Sequence, residues 1–320
     1  MSTTTIAEAV QCWSMDGEII RLRQWGTDRI HMLPAPSFNA AREGSAGVAR
    51  YLDRLQPCLE IVIGNTTLVA ENRFSIALRK YLERILGWER DCIATVDMAL
   101  RSIRMAAAHK SALILRGRED LVPIAHALHW HVFGADRPFV VCDPRRTEAE
   151  ESVRAAANYG SLVEAAEAAI GGSLCVSDRR QPPGLTGLLR RLYDPETQFQ
   201  LIICSDGDLH RRRDAFLSPP PIEVPPLTGR AHELTRIVEE YALDALHALD
   251  APRKSFTRAD RDWVLEHEAQ SLSAIERATL RLIALRTSPN VNRAAARLGM
   301  AHVSLTRWIR RRKKLPVQTR

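Results

Sequence analysis

The spacing of hydrophobic residues changes several times along the chain. Up to about residue 72 the apolar positions alternate or form short β-branched runs, as in IIRLRQW and EIVIGNTTLVA, and Gly64-Asn65 divides the second run with a typical hairpin-turn sequence. This pattern predicts a small β-rich unit over residues 1–72. From Phe74 the apolar residues follow a helical period, which predicts a helix in FSIALRKYLERILGW, ending near Gly87, and another in ATVDMALRSIRMAAAH.

Between Ser111 and Pro226, short apolar runs alternate with helical patterns. The runs SALIL, RPFVVCD, GGSLCVS and FQLIICS predict strands, and the segments between them (DLVPIAHALHWHVF, EAEESVRAAANYG with SLVEAAEAAI, and LTGLLRRLY) predict helices. This alternation predicts an α/β domain with a parallel sheet covered by helices on both faces. The prolines of SPPPIEVPPLTGR exclude a helix or a central strand and indicate a boundary near residue 226.

The remainder of the chain has helical periodicity. A first part, residues 227–270, contains the patterns AHELTRIVEEYALDALHAL and RADRDWVLEHEAQ. After it we expect three helices, the first over Ile275–Arg286 and the second from an Asn290 cap to Leu298. Gly299 is suited to the turn that follows, and the third helix is predicted to start near His302.

The net charge of +7 is concentrated at the C-terminal end. Residues 301–320 contain seven lysines and arginines and no acid, so the other 300 residues balance at 38 basic and 38 acidic groups. A charge of one sign on one element indicates a polyanionic ligand. The N-terminal residues lack a signal-peptide pattern and no apolar run is long enough for a membrane span, so we expect a cytoplasmic protein without membrane contact. Six dispersed cysteines favour reduced, buried thiols over metal ligands or disulfides.

The C-terminal segment matches the spacing NxxxAAxxLGxxxxxLxRxI. The matching residues are Asn290, Ala294, Ala295, Leu298, Gly299, Leu305, Arg307 and Ile309. On these residues the segment resembles the Fis-type helix-turn-helix of bacterial transcription regulators, which implies a DNA-binding domain over residues 271–320. The alternative is an ordinary helical hairpin with a solvated basic end.

The predicted third helix would enter the major groove of double-stranded DNA. We expect its core-facing residues to be Val303, Leu305, Trp308 and Ile309. Candidates for contacts with base edges are Ala301, His302, Ser304, Thr306 and Arg307, and candidates for phosphate contacts are Arg310, Arg311, Arg312 and Lys313. Asn290 and Arg293 complete the predicted DNA-binding set. Because one such motif offers few base contacts, we expect a homodimer or a higher oligomer.

The middle of the chain carries a second resemblance. ADRPFVVCDP falls where a known family has its second strand, GGSLCVSD where it has GGTLFLDE, QLIICSDGDL where it has RLIAATNRDL, and PIEVPPLTGRAHEL where it has PIRLPPLRERREDI. These segments resemble the AAA+ domain of bacterial enhancer-binding proteins, the activators of sigma-54 RNA polymerase. The resemblance implies a three-layer AAA+-like α/β domain over residues 73–226, a helical lid over residues 227–270, and an RNA polymerase or regulatory protein as a possible partner.

The residues that perform the family's chemistry are replaced. The phosphate loop G-x-x-x-x-G-K-S/T is shortened to RGRED, in which Gly117, Arg118 and Glu119 offer neither lysine nor hydroxyl. Ser177 stands where the resemblance expects the metal-binding aspartate, and Asp178 where it expects the catalytic glutamate. These five residues therefore indicate a vestigial nucleotide site, with no catalytic residue, no metal and no cofactor.

Other family features are absent as well. Asp206 replaces the sensor asparagine, and the arginine-finger position falls on Phe216, with Arg211 to Arg213 nearby. The GAFTGA loop that contacts the sigma factor is missing, since only Tyr159-Gly160-Ser161 remains at that place. We therefore expect that the protein is not an ATPase; nucleotide binding without hydrolysis is the alternative.

Some residues suggest other chemistry. His126, His129 and His131 could be metal ligands, although packed or surface histidines are the favoured interpretation, and Asp143 follows a strand where α/β sheets hold ligands. The N-terminal unit suggests a sensory or forkhead-associated-like remnant, without a phosphopeptide-binding motif. The favoured function is a sequence-specific DNA-binding regulator whose inactive AAA+-like domain serves as a scaffold or for self-association. The alternatives are an ATP-dependent sigma-54 activator and an adaptor that assembles with intact AAA+ relatives.

Overall fold

The structure is a computed structural model of the 320-residue chain. It describes residues 19–34, 60–63, 66–71, 73–109, 111–144, 156–177, 182–191, 198–206, 219–312 and 315–317. Across those ranges no helix combines the length and the apolar character needed to cross a membrane.

The N-terminal residues form a small antiparallel sheet. Its strands are β1 (Ile19–Gln24), β2 (Ile30–Pro34), β3 (Glu60–Ile63) and β4 (Thr66–Glu71), in the order β2-β1-β4-β3. Ile63 pairs with Thr66 across the β3–β4 hairpin, so the predicted β-rich character is confirmed. The predicted turn residues Gly64-Asn65 lie outside the described residues.

Two helices connect this sheet to the rest of the molecule. Helix α1 spans Arg73–Leu86 and helix α2 spans Ile93–His109, as the helical periodicity predicts. The backbone at Gly87, after α1, has a φ of 131°, and a Cβ atom there would lie 2.6 Å from the sulfur of Cys92. Glycine is therefore required at the end of α1 for both its conformation and its small size.

The centre of the molecule is a six-stranded sheet in which every pair of neighbouring strands is parallel. The strands are β5 (Leu113–Arg116), β6 (Phe139–Cys142), β7 (Ala157–Tyr159), β8 (Ser173–Ser177), β9 (Gln200–Ser205) and β10 (Ile222–Glu223). Their order is β10-β5-β9-β8-β6-β7. The four apolar runs predicted as strands are confirmed as β5, β6, β8 and β9.

Both faces of this sheet are covered. Helix α3 (Val122–Phe133) packs on one face, and helices α4 (Leu162–Ala168) and α5 (Leu185–Arg191) pack on the other. Successive residues of β5 alternate between the two faces: Leu113 and Leu115 contact the α3 side, and Ile114 contacts the α4 side. Because both sets are buried, the strands have continuous apolar sequences, and the fold is a three-layer α/β arrangement.

The helix predicted in EAEESVRAAANYG is wrong at its C-terminal end. Residues Ala157–Tyr159 form β7, an edge strand that pairs with β6. The side chain of Asn158 exchanges two hydrogen bonds of 3.0 Å with the backbone of Asp143, accepting from its amide and donating to its carbonyl. These bonds compete with helix formation because they fix the segment alongside the end of β6.

The C-terminal part is helical. It consists of α6 (Leu234–Ala248), α7 (Arg258–His267), α8 (Leu272–Thr287), α9 (Val291–Arg297) and α10 (His302–Arg310), with 3-10 helices before α6 and between α6 and α7. Leu272, Ile275 and Leu282 of α8 are completely buried in the same cluster of apolar side chains that contains α1, α3 and α6. The last three helices are therefore packed onto the α/β domain through α8.

Candidate nucleic-acid interface

The turn between α9 and α10 is formed by local sequence signals. The Asn290 side chain accepts a hydrogen bond of 3.0 Å from the amide of Arg293 and caps α9, as predicted. At the other end the amide of Met300 donates to the carbonyl of Ala295, and the amide of Gly299 donates to that of Ala296. This is a Schellman motif, and the φ of +65° at Gly299 is the left-handed conformation it requires.

Small side chains allow α9 to approach its neighbours closely. Ala294 and Ala295 are buried on α9, and Leu305 and Trp308 are buried on α10. The ring of Trp308 meets the ring of Trp263 from α7 edge to face, with centroids 6.1 Å apart. The inner side of α10 is therefore fixed by Leu305 and Trp308, and the opposite side of the helix faces outward.

Two arginines at the ends of α8 and α9 donate hydrogen bonds to other groups of the protein. The Arg286 guanidinium donates to both carboxylate oxygens of buried Asp260, at 2.6 and 2.7 Å. Arg297 donates to the carbonyls of Leu249 and Thr287. These contacts hold the ends of α8 and α9 against α6 and α7 and use hydrogen-bond donors of two of the basic groups.

Arg312 is half-buried and is also paired within the protein. Its Nε donates to the buried carboxylate of Glu268, and its guanidinium carbon lies 4.5 Å from the centroid of the Trp308 ring. On α8, burial lowers the pKa of Arg281 to about 10, and the positive charges of Arg277 and Arg312 lower it further. The predicted contact of Arg312 with a DNA phosphate stays a prediction, and in this structure the Arg312 charge is paired with Glu268.

Other arginines of the C-terminal bundle point outward. After Glu276 the chain contains no aspartate or glutamate. The exposed arginines of this acid-free segment are Arg293, Arg297, Arg307, Arg310 and Arg311, of which Arg297 also hydrogen-bonds to Leu249 and Thr287. Positive charge is therefore displayed on a surface to which this segment contributes no acid, which is the arrangement that a polyanion requires.

The predicted base-contacting residues are found at the start and along the outside of α10. Ala301, His302 and Arg307 are exposed, and Ser304 and Thr306 are half-buried. The imidazole Nε2 of His302 lies 3.2 Å from the hydroxyl of Thr306, one helical turn away. Lys313, predicted to contact a phosphate, lies outside the described residues.

Val303 lies on the outer side of α10. The prediction that it faces the core is wrong, since 61% of its surface is exposed. On a helix, residues three, four and seven positions apart share one face, so Val303 belongs to the same outer stripe as Thr306, Arg307 and Arg310. That spacing is present in the sequence and would have identified Val303 as a surface residue. We name the outer stripe of Val303, Thr306, Arg307 and Arg310 the outer face of α10.

The residues predicted to form a vestigial nucleotide site lie at the edge where parallel sheets hold ligands. Strands β5 and β9 are adjacent in the sheet. The connection from β5 to β6 and the connection from β9 to β10 run in opposite directions along the strand order. The carboxyl ends of two such strands form a crevice at a topological switch point. Gly117 follows β5, and Ser177 ends β8, which pairs with β9 on the side away from β5, so both predicted residues lie at the carboxyl edge of the sheet with β9 between their strands. Asp178, Phe216 and Arg211 to Arg213 lie outside the described residues.

The turn after β5 is occupied by the protein's own groups. The amide of Gly117 donates to the carbonyl of Ser205, and a Cβ atom on Gly117 would lie 3.1 Å from Leu121 and 3.3 Å from Val224. The carboxylate of Asp120 accepts from the amide of Val122, at the start of α3. Phosphates bind at such helix starts through free amides. Here the carboxylate of Asp120 already accepts a hydrogen bond from the first amide of α3. The side chains of Leu121 and Val224 fill the space beside Gly117.

Glu119 connects this turn to the C-terminal bundle. Its Oε2 accepts a hydrogen bond of 2.8 Å from the amide of Leu272, the first residue of α8. Burial raises the pKa of the Glu119 carboxyl, and the hydrogen bond from Leu272 offsets part of that rise. A carboxylate at a helix N-terminus is favourable because it satisfies an amide that has no partner within the helix. Arg118, next to Glu119, is exposed.

We predict that Glu119→Ala lowers the free energy of unfolding by about 1–3 kcal/mol, because the buried amide of Leu272 loses its acceptor. Glu119→Gln keeps a carbonyl oxygen and should lose less. Urea unfolding followed by circular dichroism measures both changes. Arg118→Ala is the matched control on the adjacent exposed residue, and an equal loss in Arg118→Ala and Glu119→Ala would contradict this role of Glu119.

The three histidines of α3 lie in different surroundings. The Nε2 of His129 lies 3.0 Å from the carbonyl of Arg137, which can only accept, so this nitrogen carries the proton and Nδ1 accepts from Ser173 at 2.8 Å. Burial lowers the pKa of His129 and favours this neutral form. His126 stacks on Phe139, with ring centroids 4.6 Å apart, and His131 contacts Tyr81. No group of three or more His, Cys, Asp or Glu side chains suited to a metal ion occurs among the described residues.

Comparison with known proteins gives little beyond this geometry. No protein-family model matches the chain, and no curated protein matches it. Among solved structures the chain is similar to NtrX from Brucella abortus, with 16% sequence identity and a TM-score of 0.39, over 72% of this chain and 70% of that one. This distant similarity assigns no function to the chain.

Proposed function

We propose that the protein is a sequence-specific DNA-binding transcription regulator in which α9 and α10 form a helix-turn-helix. The observation that supports this most directly is the outer face of α10. It displays Arg307 and Arg310 beside apolar and hydroxyl side chains, on a helix whose inner face is fixed by Leu305 and Trp308. A helix of this kind fits the major groove, in which bases offer acceptors and methyl groups while phosphates attract positive charge.

The side chains of α10 divide into two roles in this proposal. His302, Thr306 and Arg307 reach base edges, and the hydrogen-bonding distance between His302 and Thr306 allows each to orient the other. Arg310 and Arg311 contact phosphates together with Lys313, and Arg293 does so from α9. Asn290 supports the interface through the cap of α9, since its side-chain oxygen is used by the amide of Arg293.

The α/β domain serves as a scaffold without ATP hydrolysis. The turn after β5 lacks the lysine and hydroxyl that phosphoryl transfer requires, and its acids accept hydrogen bonds from Val122 and Leu272. An incoming nucleotide would bring its phosphates against Glu119 and Asp120, which is repulsive. The domain instead holds α8 through Glu119, and the protein acts as a homodimer or higher oligomer that contacts two half-sites.

The test is selection of bound fragments from genomic DNA by the full chain, followed by affinity measurements on the selected and on random sequences. A truncation before Leu272 is not a usable control, because α8 fills the core shared with α6. We expect the wild type to enrich a common sequence. The double variant His302→Ala with Arg307→Ala should lose the preference for that sequence but keep its affinity for random DNA.

The affinities of the wild type and the double variant for selected and random DNA distinguish the proposed function from its alternatives. A bidentate arginine contact to guanine contributes about 1–3 kcal/mol of discrimination, so the double variant should bind selected and random DNA within a few-fold of each other. Equal losses on both kinds of DNA would contradict the assigned base contacts. Failure of the wild type to enrich any sequence would favour the adaptor alternative. Titration with ATP and Mg²⁺ tests the scaffold role, and micromolar affinity with turnover would overturn it.

A further inference from the structure

Val303 is a large apolar side chain in the middle of a charged and polar surface. Thr306, Arg307 and Arg310 follow it at three, four and seven residues, so all of these side chains project from the outer face of α10. The exposed fraction of Val303 is 61%, one of the largest among the exposed apolar residues of the described chain.

Packing within the chain does not account for this position. Val303 and Leu305 are about 200° apart around the helix axis, so the rotation that buries Leu305 directs Val303 away from the protein. Leu305 is completely buried and Trp308 is nearly so. The bundle is therefore complete without Val303, and the isopropyl group is free to contact a ligand that lies against the outer face.

The major groove presents one apolar group on its base edges, the 5-methyl group of thymine. We propose that Val303 contacts the 5-methyl group of a thymine and thereby selects thymine at one position of each half-site. This inference rests on the proposed DNA-binding function and identifies a specificity residue within it. Val303 and Arg307 are four residues apart, about 6 Å along the helix axis. One base step is about 3.4 Å, so the thymine lies about two base steps from the guanine that Arg307 contacts.

Replacement of thymine by deoxyuridine removes this methyl group and leaves every hydrogen-bonding group in place. The selected duplex is therefore prepared with each thymine of a half-site replaced singly by deoxyuridine, and binding is measured for the wild type and Val303→Ala. One buried methyl-sized group corresponds to about a fourfold change in affinity. We expect the wild type to bind about fourfold more weakly at one position close to the Arg307 contact. Val303→Ala should bind the thymine and deoxyuridine duplexes equally.

Val163→Ala is the matched control. Val163 lies on α4 with 69% of its surface exposed and is far in sequence from the bundle, so this variant should retain the wild-type response to deoxyuridine. Alanine is a better helix former than valine, so Val303→Ala is expected to fold. The proposal is overturned if the wild type is indifferent to every deoxyuridine, or if Val303→Ala keeps the full penalty. If the wild type selects no sequence, the proposed function itself fails, which is a separate outcome.

Discussion

Replacement of Arg310 and Arg311 together by glutamine is expected to reduce the DNA affinity of a homodimer by about 10³-fold at about 0.15 M salt. Each lost phosphate contact removes about 0.9 from the slope of log K against log salt concentration, and four contacts are lost in a dimer. The loss should be the same for selected and random sequences, because phosphates carry no sequence information. Both side chains are exposed, so the free energy of unfolding should remain near that of the wild type.

Arg312→Gln is the matched control for this experiment. Arg312 follows Arg311 directly but donates to Glu268 and lies over Trp308. Its loss leaves a buried carboxylate with a weaker partner, which should lower the free energy of unfolding by about 1–3 kcal/mol. The salt slope of DNA binding should stay unchanged. If Arg312→Gln flattened the slope and the Arg310/Arg311 variant did not, the division of these arginines between interior and interface would be wrong.

The features that local chemistry determines were predictable. Strands β5, β6, β8 and β9 are buried on both faces, so each is a continuous apolar run that the sequence displays directly. Both ends of α9 were equally clear, because the Asn290 side chain is suited to an N-cap and glycine at 299 is suited to the left-handed turn that follows the helix. The strand β7 was not predictable, since Ala157 and Asn158 have low strand propensity and the segment is held against β6 by the side chain of Asn158.

The partners and the exposure of individual side chains were harder to predict. A run such as RWIRRRKK indicates positive charge but not which arginines are paired, and Arg312 is distinguished from Arg311 only by its distance to Glu268. Val303 was assigned to the core from its apolar character, although its spacing from Leu305 places it on the opposite side of α10. The contact between Glu119 and Leu272 joins residues far apart in sequence, and no local pattern predicts it.

The second large effect is expected at Asp97, in the second turn of α2. Its side chain is completely buried and accepts from Arg23 of β1, from Arg79 of α1 and from the amide of Gly26. The distance from the Arg79 Nη1 to the Asp97 Oδ1 is 2.5 Å, and Arg23 also donates to Glu71 of β4 at 2.7 Å. One carboxylate therefore fixes the N-terminal sheet to the helices that lead into the α/β domain.

Asp97→Ala would leave two arginines buried beside each other. Burial by itself lowers the pKa of Arg79, and the Asp97 carboxylate opposes that effect while the nearby Arg23 adds to it. Removal of one partner from a buried ion pair costs about 3–5 kcal/mol, so we expect a loss of this size in the free energy of unfolding. Urea unfolding at constant salt measures it, with Asp262→Ala as the control on an exposed carboxylate of α7.

The outcome also tests how the N-terminal sheet is held. If Asp97→Ala lowers the midpoint of the whole transition, the sheet and the α/β domain unfold together, because the ion pairs that join them contribute to one cooperative unit. If it instead separates an early transition from an unchanged main one, the sheet is a unit that docks through Arg23 and Asp97. A loss no larger than that of Asp262→Ala would contradict the role assigned to this buried network.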